Sequence, residues 1–213
     1  MASGHESRHN WPMHWVEVDG LQMPRRYGGH PALDFCNTWA GWGEPPKPTR
    51  EWLKSYAHLV VWARHAELVE PEDADRLRAL GGRRTDAGAE QVAEARRLRA
   101  LLRKAVLQPT DRRAVAGVTG FVRRAATAVR LQPAADPRWE IPSSAGLAIP
   151  LLAVSWSAGA LLTSGRLGAV RCCPGDDCGW LFLDQSGRRR WCSMGTCGNR
   201  AKVRAHAARQ RRH

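Results

Sequence analysis

The stretch 171-RCCPGDDCGWLFLDQSGRRRWCSMGTCGNR-200 decides how the chain is read. It holds five of the six cysteines, arranged as Cys173-x4-Cys178, thirteen residues, then Cys192-x4-Cys197, with Cys172 beside the first. Two close pairs, separated by enough chain for a hairpin, let four thiolates meet in a tetrahedron, the arrangement of a structural zinc site. Four thiolates complete the zinc shell and leave no position for an activated water, which argues against a zinc hydrolase. Iron accepts the same ligands, and Cys172 stands as an alternate ligand or a spare thiol. The lone Cys36 reads as a small buried hydrophobe.

Between the pairs, "GWLFLD" alternates as a strand, with Trp180 and Phe182 on one face and Leu181 and Leu183 on the other. "QSG" supplies a turn, "RRRWC" is expected to return as the partner strand, and Ser193 to cap a helix whose first turn carries Cys197. The expected module is a zinc knuckle, a β-hairpin and a basic helix, treble-clef-like in style. It is too small to be held by burial alone, and one structural zinc ion supplies on the order of 10–16 kcal/mol in comparable modules.

The helix that follows, "NRAKVRAHAARQRRH", has no broad apolar face. Arg200, Arg204 and Arg211 fall within about 40° of one another, Lys202, His206 and Arg209 line the opposite side, and Ala201, Ala205 and Ala208 lie between. From Arg166 onward there are eleven basic and three acidic residues, within a formal charge of +13 for the 213 residues. Such a concentration points to a polyanion such as nucleic acid, or to an anionic membrane surface. The candidate DNA contacts are Arg188, Arg189, Arg190, Asn199, Arg200, Lys202, Arg204, Arg209 and Arg211. Arg200 is expected to weigh more in specific binding than Arg212. RNA or ribosome association is the competing reading, because phosphate contacts alone do not separate the two. A zinc-thiolate redox sensor with Cys172 as resolving thiol is another.

Working outward, the opening residues lack the apolar core of a secretory signal, so a cytoplasmic, reducing compartment is expected. Residues 1–26 read as an extension without regular periodicity. A glycine-broken apolar stretch and the rigid loop "EPPKPTR" follow, with Thr49 placed to cap a helix from Arg50 to about Val69. Helices are further expected over 71–80, from Asp86 through "AEQVAEARRLRALLRKAVL", over 111–131 and over 147–163. Val92, Ala95, Leu98, Leu102 and Val106 form the buried stripe of the long helix, and Val115, Val118, Val122 and Val129 that of the next. Ile141 to Gly165 carries no charge and reads as a buried core helix rather than a membrane span. The fold class is thus mainly α: a helical domain over 27–165 and a metal module over 166–213.

"CGWLFLDQSGRRRWCSMGTCGNRAKVRAHAARQRR" resembles the CGNR zinc finger, whose signature stands here as Cys197-Gly198-Asn199-Arg200. Upstream, "GGHPALDFCNTW", with its LDFxNT motif, resembles the start of the ABATE domain that precedes this finger in bacterial stress-induced transcription regulators. The resemblance implies zinc on Cys173, Cys178, Cys192 and Cys197, a DNA-binding C-terminus and an N-terminal domain that senses a ligand or dimerises. Asp34, Asn37 and Thr38, with Trp39, Trp42 and Trp62 as walls, are the candidates for a small-molecule pocket. Asp34 and Asn37 serve equally as braces for the first helix. No Ser–His–Asp or Cys–His arrangement declares itself, so a non-enzymatic protein is expected.

Overall fold

The computed structural model describes residues 14–42 and 51–211. Its N-terminal hairpin pairs β1 (Trp15–Val18) with β2 (Leu21–Pro24), Val18 opposite Leu21. Asp19 and Gly20 form its two-residue turn, both at positive φ (50° and 74°), as the right-handed strand twist requires. The hairpin lies where an irregular extension is expected. It is part of the fold: Met23 is fully buried, Val16, Val18 and Leu21 pack on the core, and Asp19 pairs with Arg64.

The short helix α1 (Pro31–Cys36) is capped by His30, whose Nδ1 accepts from Ala32 N–H at 3.2 Å. Every α1 side chain from Ala32 to Cys36 is buried, and burial raises the Cys36 thiol to about 12, so it is an inert core residue. Helix α2 (Tyr56–His65) starts six residues later than the Arg50 expected; Thr49 and Arg50 lie outside the described residues. Tertiary pairing explains the delay. Glu51 bridges Trp39 as an isolated β-pair and its carboxylate grips the buried Arg99 at 2.7 Å, while Trp52 N–H donates to Thr38 O.

Helix α3 (Pro71–Arg83) runs three residues past the expected end. Gly81 is required there, because a Cβ would overlap the Tyr56 ring. Helix α4 (Thr85–Leu107) buries the whole expected stripe, Val92, Ala95, Leu98, Leu102 and Val106. Helix α5 (Arg112–Ala128) is capped by Asp111 on Ala114 N–H (2.9 Å), and its buried line is Ala114, Val118, Phe121 and Ala125. Of the expected valines, Val118 is fully buried, while Val115 and Val122 sit at the margins and Val129 lies just past the helix.

A small hairpin, β3 (Arg130–Gln132) with β4 (Arg138–Glu140), leads through a 3-10 turn into α6 (Ile149–Leu162). The segment Ser143–Leu162 is long and apolar enough to cross a membrane, but half of it is buried. Its helix packs on α1, α2, α4 and α5, so it is the core helix of the bundle. The C-terminal region contains β5 (Val170–Cys172), β6 (Leu181–Leu183) and the basic helix α7 (Asn199–Gln210). The fold is mainly helical, ending in a hairpin, a four-cysteine cluster and a helix.

Candidate metal centre and nucleic-acid interface

Strand β6 pairs with β5, not with "RRRWC" as expected: Val170 faces Leu183, Arg171 faces Phe182 and Cys172 faces Leu181. The hairpin therefore encloses the first cysteine pair instead of joining the two pairs. Cys173 N–H continues the ladder onto Trp180 O (2.8 Å), and Cys178 N–H closes the knuckle on Gly175 O (2.9 Å). Arg188 to Arg190 form no strand. Of the second pair, Cys192 precedes and Cys197 lies inside a π-helical turn, Met194–Gly198, that feeds directly into α7. Ser193 stands in front of that turn, but its side chain makes no capping hydrogen bond.

Cys173, Cys178, Cys192 and Cys197 are all buried, and their sulfurs lie within 4.8 Å of one another. Cys178 Sγ and Cys192 Sγ are 3.7 Å apart, and Cys192 Sγ and Cys197 Sγ are 3.6 Å apart. A zinc tetrathiolate with bonds of about 2.3 Å has sulfur–sulfur edges of about 3.8 Å, so the cluster has the size the ion needs. Hydrogen bonds from Cys178 and Cys192 draw the Cys173 thiol down to about 7, and those from Cys173, Cys178 and Cys192 draw Cys197 lower still. The same contacts push the thiols of Cys178 and Cys192 up, so the packed sulfurs share protons that a bound zinc ion would displace. Gly175 lies so close that a Cβ would come within 2.9 Å of Cys197 Sγ. Cys172 is outside the cluster, exposed on β5, with Arg103 Nη2 at 3.6 Å. The donor set is consistent with one zinc ion.

The two faces of β6 do different work. Trp180 and Phe182 pack on the cysteines, whereas Leu181 and Leu183 enter the helical core. Of the expected ligand-pocket residues, Asn37 and Trp39 meet β6 directly at this seam and Asp34 reaches it through Gly28. Asn37 Nδ2 donates to Leu181 O (2.9 Å) and Leu181 N–H donates to Asn37 Oδ1 (2.7 Å), so one side chain replaces a neighbouring strand. Trp180 Nε1 donates to Trp39 O (3.0 Å), and Gly41 N–H to Cys178 O (3.1 Å). Leu183 N–H donates to Gly28 O (2.9 Å), and Gly28 N–H to Asp34 Oδ1 (2.7 Å). Thr38 Oγ1 donates to Phe35 O and accepts from Arg99, and Trp62 is buried against Phe35 with ring centroids 5.0 Å apart. A cleft of about 450 Å³ lies elsewhere, where the starts of α2 and α4 meet the end of α3; Lys54, Ser55, Arg78, Thr85 and Arg96 line it.

The basic residues divide. Arg189 is a staple: it donates to Tyr27 O (2.7 Å) and Cys192 O, and its guanidinium lies 4.4 Å over the Phe182 ring. Arg188 and Arg190 are exposed, Arg190 over Trp191. Asn199 Nδ2 reaches back to Gly195 O (3.4 Å). Arg200 Nη2 lies 3.1 Å from Cys197 Sγ, and Arg204 pairs with Asp176. Lys202, Arg209 and Arg211 are exposed, and no residue of α7 is buried.

Sequence reasoning missed His14. It is buried (3 % exposed), packs edge-on against Trp180 at 5.0 Å, and brings Nε2 to 3.9 Å from Cys197 Sγ. The Asp19-Gly20 pair between apolar residues was the signal that this arm is ordered.

No curated protein matches the chain. Residues 169–210 match the CGNR zinc finger, and the cysteine cluster with its following helix is that finger's metal site. Residues 29–165, well over half of the chain, match the ABATE family, described as "Putative stress-induced transcription regulator", and the chain belongs to that family.

Proposed function

We propose that the protein is a non-enzymatic, DNA-binding regulator in which the metal cluster presents α7 to the nucleic acid. The observation that carries this is α7 itself: twelve residues with no buried side chain, rooted at one end in the thiolates. Core packing gives no reason for such a helix, while a groove lined by phosphates does. Arg200 and Arg204 turn toward the module, which leaves Lys202, Val203, His206 and Arg209 as the outward face. Val203 is 68 % exposed, an apolar contact of the kind that meets thymine methyl groups. Arg188 and Arg190, both exposed, add backbone contacts in this reading.

The helical region takes the sensing role in this reading. The cleft lined by Lys54, Arg78 and Arg96 suits a small anion. Arg96 donates to Leu53 O (2.7 Å), next to Trp52, whose ring lies 5.9 Å from Trp180 beside the cysteines. A ligand there would bear on the segment that touches the metal module.

Selection of genomic DNA fragments on the zinc-loaded protein at near-physiological salt tests the reading. A reproducible motif, weakened about tenfold or more by Lys202→Ala with Arg209→Ala, is the expected result. Retention that is uniform across sequences and vanishes with salt would leave only a polyanion binder, with RNA the next partner to test.

A further inference from the structure

Zinc brings two positive charges to four thiolates, so the filled cluster keeps two negative charges in a buried site. Buried charge needs a partner, and the structure shows which side chains stand at the thiolate of Cys197. Arg200 Nη2 is 3.1 Å from its sulfur, and His14 Nε2 is 3.9 Å away. The two groups also touch each other, Nη2 to Nε2 at 3.4 Å. Arg200 comes from the first turn of α7. His14 comes from the opposite end of the chain, held by Arg25 N–H on its carbonyl (2.8 Å) and by edge-on contacts with Trp180 and Tyr27. The N-terminal hairpin thus closes over the same thiolate that begins the signature tetrapeptide.

We propose that Arg200 and His14 are positioning residues for the metal, a polar cover that holds the Cys197 thiolate, and that the signature arginine serves zinc rather than nucleic acid. A guanidinium hydrogen bond withdraws electron density from a metal-bound sulfur, which slows attack on it and slows loss of the ion. The tetrapeptide then has four local roles: Cys197 as ligand, Gly198 as the close approach to Met194 and Trp191, Asn199 as a tie to Gly195 and Arg200 as the counter-charge. The second half of the proposal rests on the DNA-binding reading above, and the first half does not.

The test measures two quantities on the zinc-loaded full chain: the rate of zinc transfer to a chromophoric chelator, and DNA affinity at saturating zinc. Arg200→Met removes the charge and keeps the bulk; His14→Phe keeps the ring on Trp180 and removes the nitrogens. Zinc transfer is expected to quicken about tenfold or more in Arg200→Met and severalfold in His14→Phe, as removal of outer-shell partners does elsewhere. DNA affinity at saturating zinc should stay within about threefold of the parent. Parental zinc transfer in Arg200→Met, or a tenfold loss of DNA affinity with zinc bound, would overturn the proposal. Arg200→Lys, which keeps the charge and loses the fork, decides by the same two readings if Arg200→Met does not fold. A parent protein that binds no DNA would sink the proposed function and leave the zinc-transfer result intact.

Discussion

Helices α6 and α7 are of similar length, fourteen and twelve residues, and are held by opposite means. α6 has no charged residue and buries nine side chains, with Gly159 admitting Val122 of α5 at close range. Removal of apolar surface from water fixes it. α7 buries none, and a free helix of twelve residues is marginal in water. It stands because its N-terminus grows out of the cysteine cluster, with Gly198 N–H bound to Ser193 O and Arg204 paired with Asp176. The helix that reaches solvent is rooted in the cysteine cluster, and the helix that could pass for a membrane span owes its order to a core.

The sharpest way to break this contrast is to remove a ligand. Cys192→Ser, or chelation of the parent protein, should erase the helical signal of α7 and lower DNA binding by about 100-fold or more. The signal of α6 should survive. Circular dichroism with and without zinc, beside a DNA titration, reads both. An unchanged spectrum and unchanged binding would show that α7 is ordered without the cluster.

A substitution at the seam sharpens the contrast, because Asn37 touches both regimes. Asn37→Ala leaves the N–H and C=O of Leu181 buried without partners and should cost about 2–4 kcal/mol of stability. Zinc should also leave more readily, since β6 carries Trp180 and Phe182 against the cysteines. Denaturant unfolding followed at saturating zinc measures the first effect. A loss below about 1 kcal/mol would mean that the metal module rests on the helices without being held by them.

The metal centre was legible in the sequence because its ligands are close in the chain, and four cysteines at that spacing have few other geometries. The two-faced reading of β6 also followed from local alternation. Which strand pairs with β6 was not legible: Val170–Cys172 and "RRRWC" both lie within reach, and only packing on α1 and the enclosed knuckle select the first. The start of α2 moved for the same reason, since Glu51 finds Arg99 forty-eight residues away. From the sequence, Asp34, Asn37 and Thr38 read as lining of a ligand pocket, with bracing of the first helix as the other reading of Asp34 and Asn37. Local sequence does not say whether such groups meet a ligand or another strand's backbone, and here Asn37 meets backbone. Asp19-Gly20, at positive φ in the turn, is a local sequence signal for the N-terminal hairpin.

Asp34 offers the smallest and most local test of that seam. Burial raises its carboxyl to about 6, against the opposing Gly28 N–H and the Arg26 guanidinium 4.0 Å away. The folded state thus holds this proton more tightly than the unfolded state, whose carboxyl titrates near 4. The contribution is fully present below about pH 4 and is lost as pH rises through about 6. Asn at this position keeps an oxygen for Gly28 N–H and cannot titrate. Relative to the parent, Asp34→Asn should therefore gain stability between pH 4 and 7, on the order of 2 kcal/mol. Thiolate protonation also loosens zinc in acid, so the two proteins are compared at matched pH and saturating metal. A difference that stays flat across that range would mean that Asp34 is ionised throughout, and that Arg26 rather than burial sets its charge.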